Sequence, residues 1–206
     1  MSAPPTVRRA RRVYDRWGRH DWLYAVVDSL YEPLHRRALA ELALTPGDRV
    51  VDLGCGPGRL LPTLAAQVGL DGAALGVDFS PEMTARASRR AESLPQAEVV
   101  RADAGALPLA TGTADAVLAS LSLSTMPAAR AAVESAARVL RDGGRLVVAD
   151  GYAPTGPLGP PVEALYRWIV NWQGFDVVEL VRETFPDAEV VARFDSRLCF
   201  VAVAQG

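Results

Sequence analysis

Between Arg49 and Asp150, short apolar runs alternate with amphipathic segments, and this alternation restricts the chain more than any other feature. The runs Arg49–Leu53, Ala73–Phe79, Ala97–Ala102, Ala114–Ser120 and Arg145–Asp150 are near-continuously apolar, which predicts strands covered on both faces. The segments Arg59–Val68, Pro81–Ser93 and Ala128–Leu140 carry the helical period. Strands alternating with helices form a parallel sheet with right-handed crossovers. Every strand then ends on one edge, where such sheets bind ligands.

The two ends of the chain break this rhythm. After the Pro/Gly-rich stretch from Ala153 to Pro161 come helices over Val162–Trp172 and Val177–Phe185, then strands over Glu189–Phe194 and Leu198–Ala204. Only Asp195, Ser196 and Arg197 join those strands, too few for a parallel crossover, so they form a hairpin and one runs antiparallel. The expected fold is α/β, a seven-stranded mostly parallel sheet with an antiparallel terminal strand and helices on both faces. At the front, Val7, Ala10, Tyr14 and Trp17 make one helical stripe, surrounded by Arg8, Arg9, Arg11, Arg12 and Arg16. A second apolar run, Trp22, Leu23, Val26, Val27, Leu30 and Tyr31, leads to Pro33, which suits the first turn of a helix reaching Leu44. Residues 1–206 are expected to form a single domain, with 1–45 as a helical lid and 46–206 as the ligand-binding core.

Composition excludes several classes. No apolar stretch approaches the roughly 18 residues of a membrane span, and the basic start, Met1 to Arg12, lacks the apolar region of a secretory signal, so a cytoplasmic location is expected. Cys55 and Cys199 lie 144 positions apart, not at a metal-binding spacing, and no metal is expected. The net charge of −2 gives no global attraction to nucleic acid. All 22 basic residues are arginine, so chemistry that needs a lysine amine is excluded.

The sharpest local signal is Val50-Val51-Asp52-Leu53-Gly54-Cys55-Gly56-Pro57-Gly58, a buried strand running into three glycines. Glycines there let backbone N–H groups approach a ligand without an intervening Cβ. A dinucleotide fingerprint reads G-x-G-x-x-G; here the third glycine comes one residue early, and Asp52 stands at the strand end. A carboxylate is repelled by a diphosphate and attracted by the ammonium of a methionine moiety. The second strand ends Gly76-Val77-Asp78-Phe79-Ser80, where a carboxylate can accept both hydroxyls of a ribose and Phe79 offers a face for adenine. Ser80 and Pro81 then start a helix as cap and first residue. The third strand ends at Asp103, placed to accept from an adenine amino group. Singly, each acid also suits a helix cap or a solvated turn.

These segments resemble the class I S-adenosylmethionine-dependent methyltransferases, in particular the ubiquinone/menaquinone C-methyltransferase-like branch. The likeness rests on Val51–Gly58, on Gly76-Val77-Asp78-Phe79-Ser80-Pro81-Glu82-Met83, on Asp103-Ala104, and on Val139-Leu140-Arg141-Asp142-Gly143-Gly144-Arg145-Leu146. It covers residues 46 to 150 and implies a Rossmann-like sheet whose seventh strand is antiparallel. It also implies S-adenosyl-L-methionine as cofactor, with Asp52, Gly54, Cys55, Gly56 and Gly58 toward the methionine end. Asp78 would take the ribose, Asp103 and Ala104 the adenine, Phe79 and Met83 would join the cofactor-binding set, and Ser120 would lie near the sulfonium.

Methyl transfer from a sulfonium is an in-line displacement, so alignment and exclusion of water matter most. A base is needed only where the acceptor must shed a proton early. The candidates are His35, Asp150 and Tyr14, with His20 behind them; Tyr14, Tyr24 and Tyr31 also suit the packing of a lid. Strand four ends in Ser120-Leu121-Ser122-Leu123, without the Asn/Asp-Pro-Pro-aromatic loop of enzymes that methylate nucleic-acid amines. No nucleic-acid partner is expected. Trp17, Trp22, Tyr24, Tyr166, Trp168, Ile169 and Trp172 gather in the two segments expected to cap the site, which points to a small hydrophobic substrate such as a quinone-type ring, a lipid or a specialised metabolite. The Arg-rich first helix also suits peripheral contact with an anionic membrane. Two alternatives stay open: a nicotinamide-dependent oxidoreductase, favoured by Asp78, and a catalytically silent binding module.

Overall fold

The computed structural model describes residues 5–18, 26, 28–152, 159–194 and 199–206. His20, Trp22, Leu23, Tyr24, Val27 and the link Asp195–Arg197 lie outside them, as do the side chains of Val7, Arg11 and Trp17. Helices α1 (Pro5–Gly18) and α2 (Glu32–Glu41) precede β1 (Arg49–Leu53). Then follow α3 (Leu61–Val68), β2 (Ala73–Asp78), α4 (Pro81–Ala91), β3 (Ala97–Arg101), β4 (Ala114–Ser120), α5 (Ala129–Val139) and β5 (Leu140–Gly151). The chain closes with α6 (Gly159–Ile169), α7 (Val177–Arg182), β6 (Glu189–Phe194) and β7 (Cys199–Gln205).

The seven strands lie in the order β3-β2-β1-β4-β5-β7-β6. The first five are mutually parallel, and β7 runs antiparallel to both β5 and β6, so the terminal hairpin expected from its short link is present. Alternation along each strand divides the core into two layers. Val51, Leu53, Val117 and Val148 face one way, onto Val133, Ala136 and Val139 of α5 and Val177 and Val181 of α7. Val50, Leu118, Val147 and Ala149 face the other way, onto Leu34 and Ala38 of α2 and Leu64, Ala65 and Val68 of α3. Sandwiching both faces explains why these strands carry no polar stripe.

The boundaries that differ from expectation have local causes. β2 stops at Asp78, whose Oδ1 accepts from Ser80 N–H at 2.8 Å and turns the chain. α3 begins at Leu61, two residues late, because Gly58 is left-handed and Pro62 belongs in the first turn. β5 begins early, at Leu140: Gly143 N–H donates to Gly206 O and Gly206 N–H to Gly144 O, which draws the glycine pair into the sheet. α6 starts at Gly159, ahead of Pro160 and Pro161, and is over by Asn171, whose φ is 61°. That early stop splits the expected aromatic stripe: Trp172 turns inward and is buried, whereas Trp168 is 63% exposed. Among the described residues, no helix is long and apolar enough to cross a membrane.

Gly58 fixes how closely the turn after β1 meets α4. With φ of 75°, a Cβ added there would stand 2.9 Å from both the Cα and the Cβ of Ala87. Gly112 has a similar φ of 67° but nothing within 4 Å. Gly112→Ala should therefore cost about 1–2 kcal/mol for the left-handed conformation alone. Gly58→Ala should cost about 3 kcal/mol, since the helix must also move. Chemical-denaturation midpoints of the two variants measure the difference; equal losses would mean that the turn and α4 are not tightly packed.

Candidate functional site

The site is built on the carboxyl ends of β1, β2 and β4. After Leu53 the chain turns back on β2: Gly54 and Cys55 both donate their N–H to Val77 O, at 2.8 and 3.0 Å. Gly54 has φ of 76°, and a Cβ there would meet Ser122 Cβ at 2.7 Å and Met126 Cε at 2.8 Å, so only glycine fits. Gly56 N–H donates to Asp78 Oδ2 at 3.0 Å. The glycine turn and the acid after β2 thus form one unit, although 22 positions separate them in sequence.

Asp52 and Asp78 are buried at the heart of this unit. Asp52 Oδ2 has no hydrogen-bond partner. Burial pushes the Asp52 carboxyl up to about 7; nearby His35 opposes the rise and the charge of Asp78 adds to it. Burial also pushes Asp78 up to about 6, against the N–H groups of Ser80, Gly56 and Phe79 that favour its ionised form, while Asp15 raises it further. Each oxygen of a carboxylate takes two hydrogen bonds, so the N–H donors from Gly56 and Ser80 leave Asp78 with capacity for a ligand.

The remaining candidates fall around this centre. Phe79 is half-buried and meets the ring of Tyr14 edge-on, with centroids 6.3 Å apart. Met83 is buried behind the Ser80 cap, its N–H on Ser80 Oγ at 3.3 Å. Cys55 is buried, and burial holds its thiol well above the usual range, so it stays protonated. Asp103 is exposed and caps the short turn at 104–106 through Gly105 N–H, at 2.9 Å, with Ala104 packed on the core behind it. Ser120 ends β4, with its hydroxyl 3.0 Å from His35 Nδ1.

The three candidate bases differ sharply. Asp150 is buried and accepts from Ser124 N–H, Ser124 Oγ and Gly151 N–H, at 3.0, 2.6 and 2.8 Å; it holds the turn at 123–125 in place. Tyr14 donates to Val170 O at 3.1 Å, and burial pushes its hydroxyl further above its ordinary alkaline range, so it serves as a donor. His35 alone lies in a chain of polar partners, between Ser120 and Asp28. Sequence reasoning missed Asp28, Arg59 and Asp15, which bonds Ser80 Oγ at 2.7 Å from α1. Each meets a partner remote in sequence or across an element boundary, and no local period marks such pairs.

Comparison with known proteins agrees with this geometry. A family model described as a methyltransferase domain matches residues 50–144. The chain is 34% identical to a phosphatidylethanolamine N-methyltransferase of Cereibacter sphaeroides, over 87% of this chain and 87% of that one. It is 33% identical to a 2-phytyl-1,4-naphtoquinone methyltransferase of Synechococcus elongatus, over 84% and 82% of the two chains. A further match, 43% identical to an uncharacterized 37.1 kDa transposon protein of Streptomyces fradiae, spans 54% of this chain and 32% of that protein. In fold, the chain resembles the crystal structure of a SAM-dependent methyltransferase from Aquifex aeolicus, with a TM-score of 0.65 at 24% identity over 88% of this chain and 97% of that one. A sheet of order β3-β2-β1-β4-β5-β7-β6, a glycine turn bonded to the buried Asp78 beside the buried Asp52, and these relatives lead to one conclusion: the chain belongs to the class I S-adenosylmethionine-dependent methyltransferases, in the branch that includes the quinone enzymes.

Proposed function

We propose that the chain methylates a small hydrophobic acceptor, first a quinol-type ring and next a lipid headgroup, in a site assembled at the ends of β1, β2 and β4. The observation that carries the cofactor assignment is the unpartnered, buried Oδ2 of Asp52. A buried carboxyl without a donor is costly unless a cation meets it. The ammonium of S-adenosylmethionine supplies one, beside a Gly54–Gly58 turn whose tight packing fixes the end of β1 where Asp52 stands. Asp78 would then accept from the ribose hydroxyls, Phe79 and Met83 would border the adenosine, and Asp103 with Ala104 would lie at the adenine end.

Bound S-adenosylmethionine supplies a methyl group on a sulfonium, whose carbon–sulfur electron pair leaves with sulfur. The protein's part is to hold the acceptor in line and keep water out. In this reading residues 1–45 act as a lid over a core of 46–206, supported by the contacts of Asp15 with Ser80, Tyr14 with Phe79 and Tyr14 with Val170. The relatives that act on phytylated quinone and phosphatidylethanolamine support a lipophilic acceptor.

The surface beside the lid fits such acceptors. Leu165, Tyr166 and Trp168 of α6 stand exposed, Arg16 of α1 lies 5.1 Å over the Trp168 ring, and Arg8, Arg9 and Arg12 line the same helix. An apolar patch flanked by the arginines of α1 matches an anionic lipid surface, to which each arginine contributes about 1 kcal/mol. In co-sedimentation the protein is expected to bind phosphatidylglycerol vesicles and to release them in high salt, with Trp168→Ser and Arg16→Ala together weakening binding roughly tenfold. Equal binding to neutral phosphatidylcholine vesicles would refute this contact.

The Asp52 assignment has a pH signature. Its carboxyl, raised to about 7 without ligand, must ionise to pair with an ammonium, so binding releases a proton and weakens as pH falls. Calorimetry with S-adenosylhomocysteine should show affinity dropping roughly tenfold from about pH 8 to about pH 5.5. Asp52→Asn should bind more weakly at the upper pH and lose most of this dependence. Without ligand the sign reverses: the raised pKa stabilises the protonated fold, and that contribution fades as pH rises through about 7. Failure to bind S-adenosylhomocysteine at any pH would end the assignment.

A further inference from the structure

A partly buried polar chain runs from the end of β4 to the glycine turn. Ser120 Oγ lies 3.0 Å from His35 Nδ1, and His35 Nε2 lies 3.2 Å from Asp28 Oδ1. Asp28 Oδ2 accepts from Arg59 Nε at 2.5 Å, and Arg59 directly follows Gly58. An ionised carboxylate only accepts, so Nε2 carries the hydrogen; in the neutral ring Nδ1 is then a free acceptor to which Ser120 donates. Asp28 is kept ionised: burial works against it, but His35 and Arg59 outweigh burial and hold it below the usual carboxylate range. His35 is buried and Ser120 half-buried, so the hydroxyl stands between the imidazole and the sheet edge. Leu121, the next residue, is left-handed with φ of 50°, and its N–H is fixed to Ala149 O at 2.7 Å. Strain of this kind persists where the surroundings impose it, commonly beside a functional group.

We infer that Ser120, His35 and Asp28 form a proton relay that takes the proton lost by the methyl acceptor. The inference rests on the reading above, which puts the acceptor at the end of β4. For a hydroxyaromatic acceptor, the O–H bond breaks and its proton passes to Ser120 Oγ while the serine's own proton moves to His35 Nδ1. The electron pair left on the acceptor, on oxygen or delocalised to a ring carbon, forms the bond to the methyl carbon as the methyl–sulfur bond breaks and its pair leaves with sulfur; on a ring carbon, the hydrogen it carried is then lost as a proton and the ring oxygen regains one. The imidazolium is held by Asp28 and returns its proton through Ser120 to water once product has left. A neutral amine attacks through its own lone pair and needs no such step beforehand. Ser120 is thus the residue that touches the acceptor, and His35 and Asp28 act through it. The groups around the imidazole fit this work. Asp28, with Arg59 behind it, and Asp52 from β1 are the ionisable groups coupled to it, and the sheet layer that packs α2 holds the Cys199 thiol among apolar Val147, Ala149 and Val201.

The test measures methyl transfer from S-adenosylmethionine to reduced 2-prenyl-1,4-naphthoquinone, and to phosphatidylethanolamine vesicles, by wild type, His35→Gln, Ser120→Ala and Asp28→Asn. Calorimetry with S-adenosylhomocysteine is run on each. With the quinol, His35→Gln is expected to lower kcat about a hundredfold near neutral pH, with Ser120→Ala close to it and Asp28→Asn losing roughly tenfold. Affinity for S-adenosylhomocysteine should stay within about threefold, and the kcat deficit should shrink at alkaline pH, where the quinol ionises unaided. A purely structural role would instead give a deficit that ignores pH. That result overturns the relay, as does unchanged kcat in both His35→Gln and Ser120→Ala, or a wild type that methylates only the amine or neither probe. Ser120→Ala removes a single oxygen and carries the test should His35→Gln not fold. Wild type that fails to bind S-adenosylhomocysteine refutes the cofactor reading, a separate outcome.

Discussion

Everything at the sheet edge depends on how the chain leaves β1. Two successive N–H groups, from Gly54 and Cys55, converge on the single carbonyl of Val77, and the next, from Gly56, reaches the carboxylate of Asp78. This requires left-handed backbone at Gly54, Gly56 and Gly58 and no side chain at position 54, where Ser122 and Met126 already fill the space. The turn therefore ties together the ends of β1, β2 and β4 before any ligand is considered. Asp52 and Asp78 are buried because the turn closes over them.

That closure sets the electrostatics. Burial raises both carboxyls, the charge of Asp78 raises Asp52 further, and the fold answers the two unequally. Asp78 receives backbone N–H donors from both sides, whereas Asp52 Oδ2 receives none. A site with one satisfied and one unsatisfied acid suits a ligand with hydroxyls at one end and a cation at the other. A dinucleotide diphosphate would bring negative charge against Asp52, which is the physical reason the nicotinamide alternative fails here, in accord with the methyltransferase relatives.

Much of the fold was legible in the sequence, since two-sided burial writes itself as apolar runs and a hairpin as a three-residue link. β1, β4 and β6 occur at the expected residues, and the antiparallel β7 follows from that link. The glycine turn and its acids were legible for the same reason: backbone constraints act on neighbouring residues. The aromatic cap was less so. Helical periodicity placed Trp168 and Trp172 together, but the left-handed Asn171 ends α6 between them, so one is exposed and one buried. The partners of His35 were not legible at all. Asp28 precedes it by 7 positions, Ser120 follows it by 85, and the chain joining them closes only through tertiary packing.

The same packing separates three polar residues that looked alike in the sequence. Asp150 spends its acceptors on Ser124 and Gly151, and Tyr14 is held protonated by burial, so neither is poised to receive a proton. His35 keeps one nitrogen on an ionised carboxylate and turns the other to a hydroxyl at the sheet edge. Arg59 links this arrangement to the cofactor side, because the residue that steadies Asp28 is also the first after the glycine turn. A shift of that turn would move Arg59, and with it the charge that keeps Asp28 ionised and the imidazole oriented. The geometry thereby connects the loop assigned to the methyl donor with the group assigned to the acceptor's proton through two side chains, without any motion of the sheet.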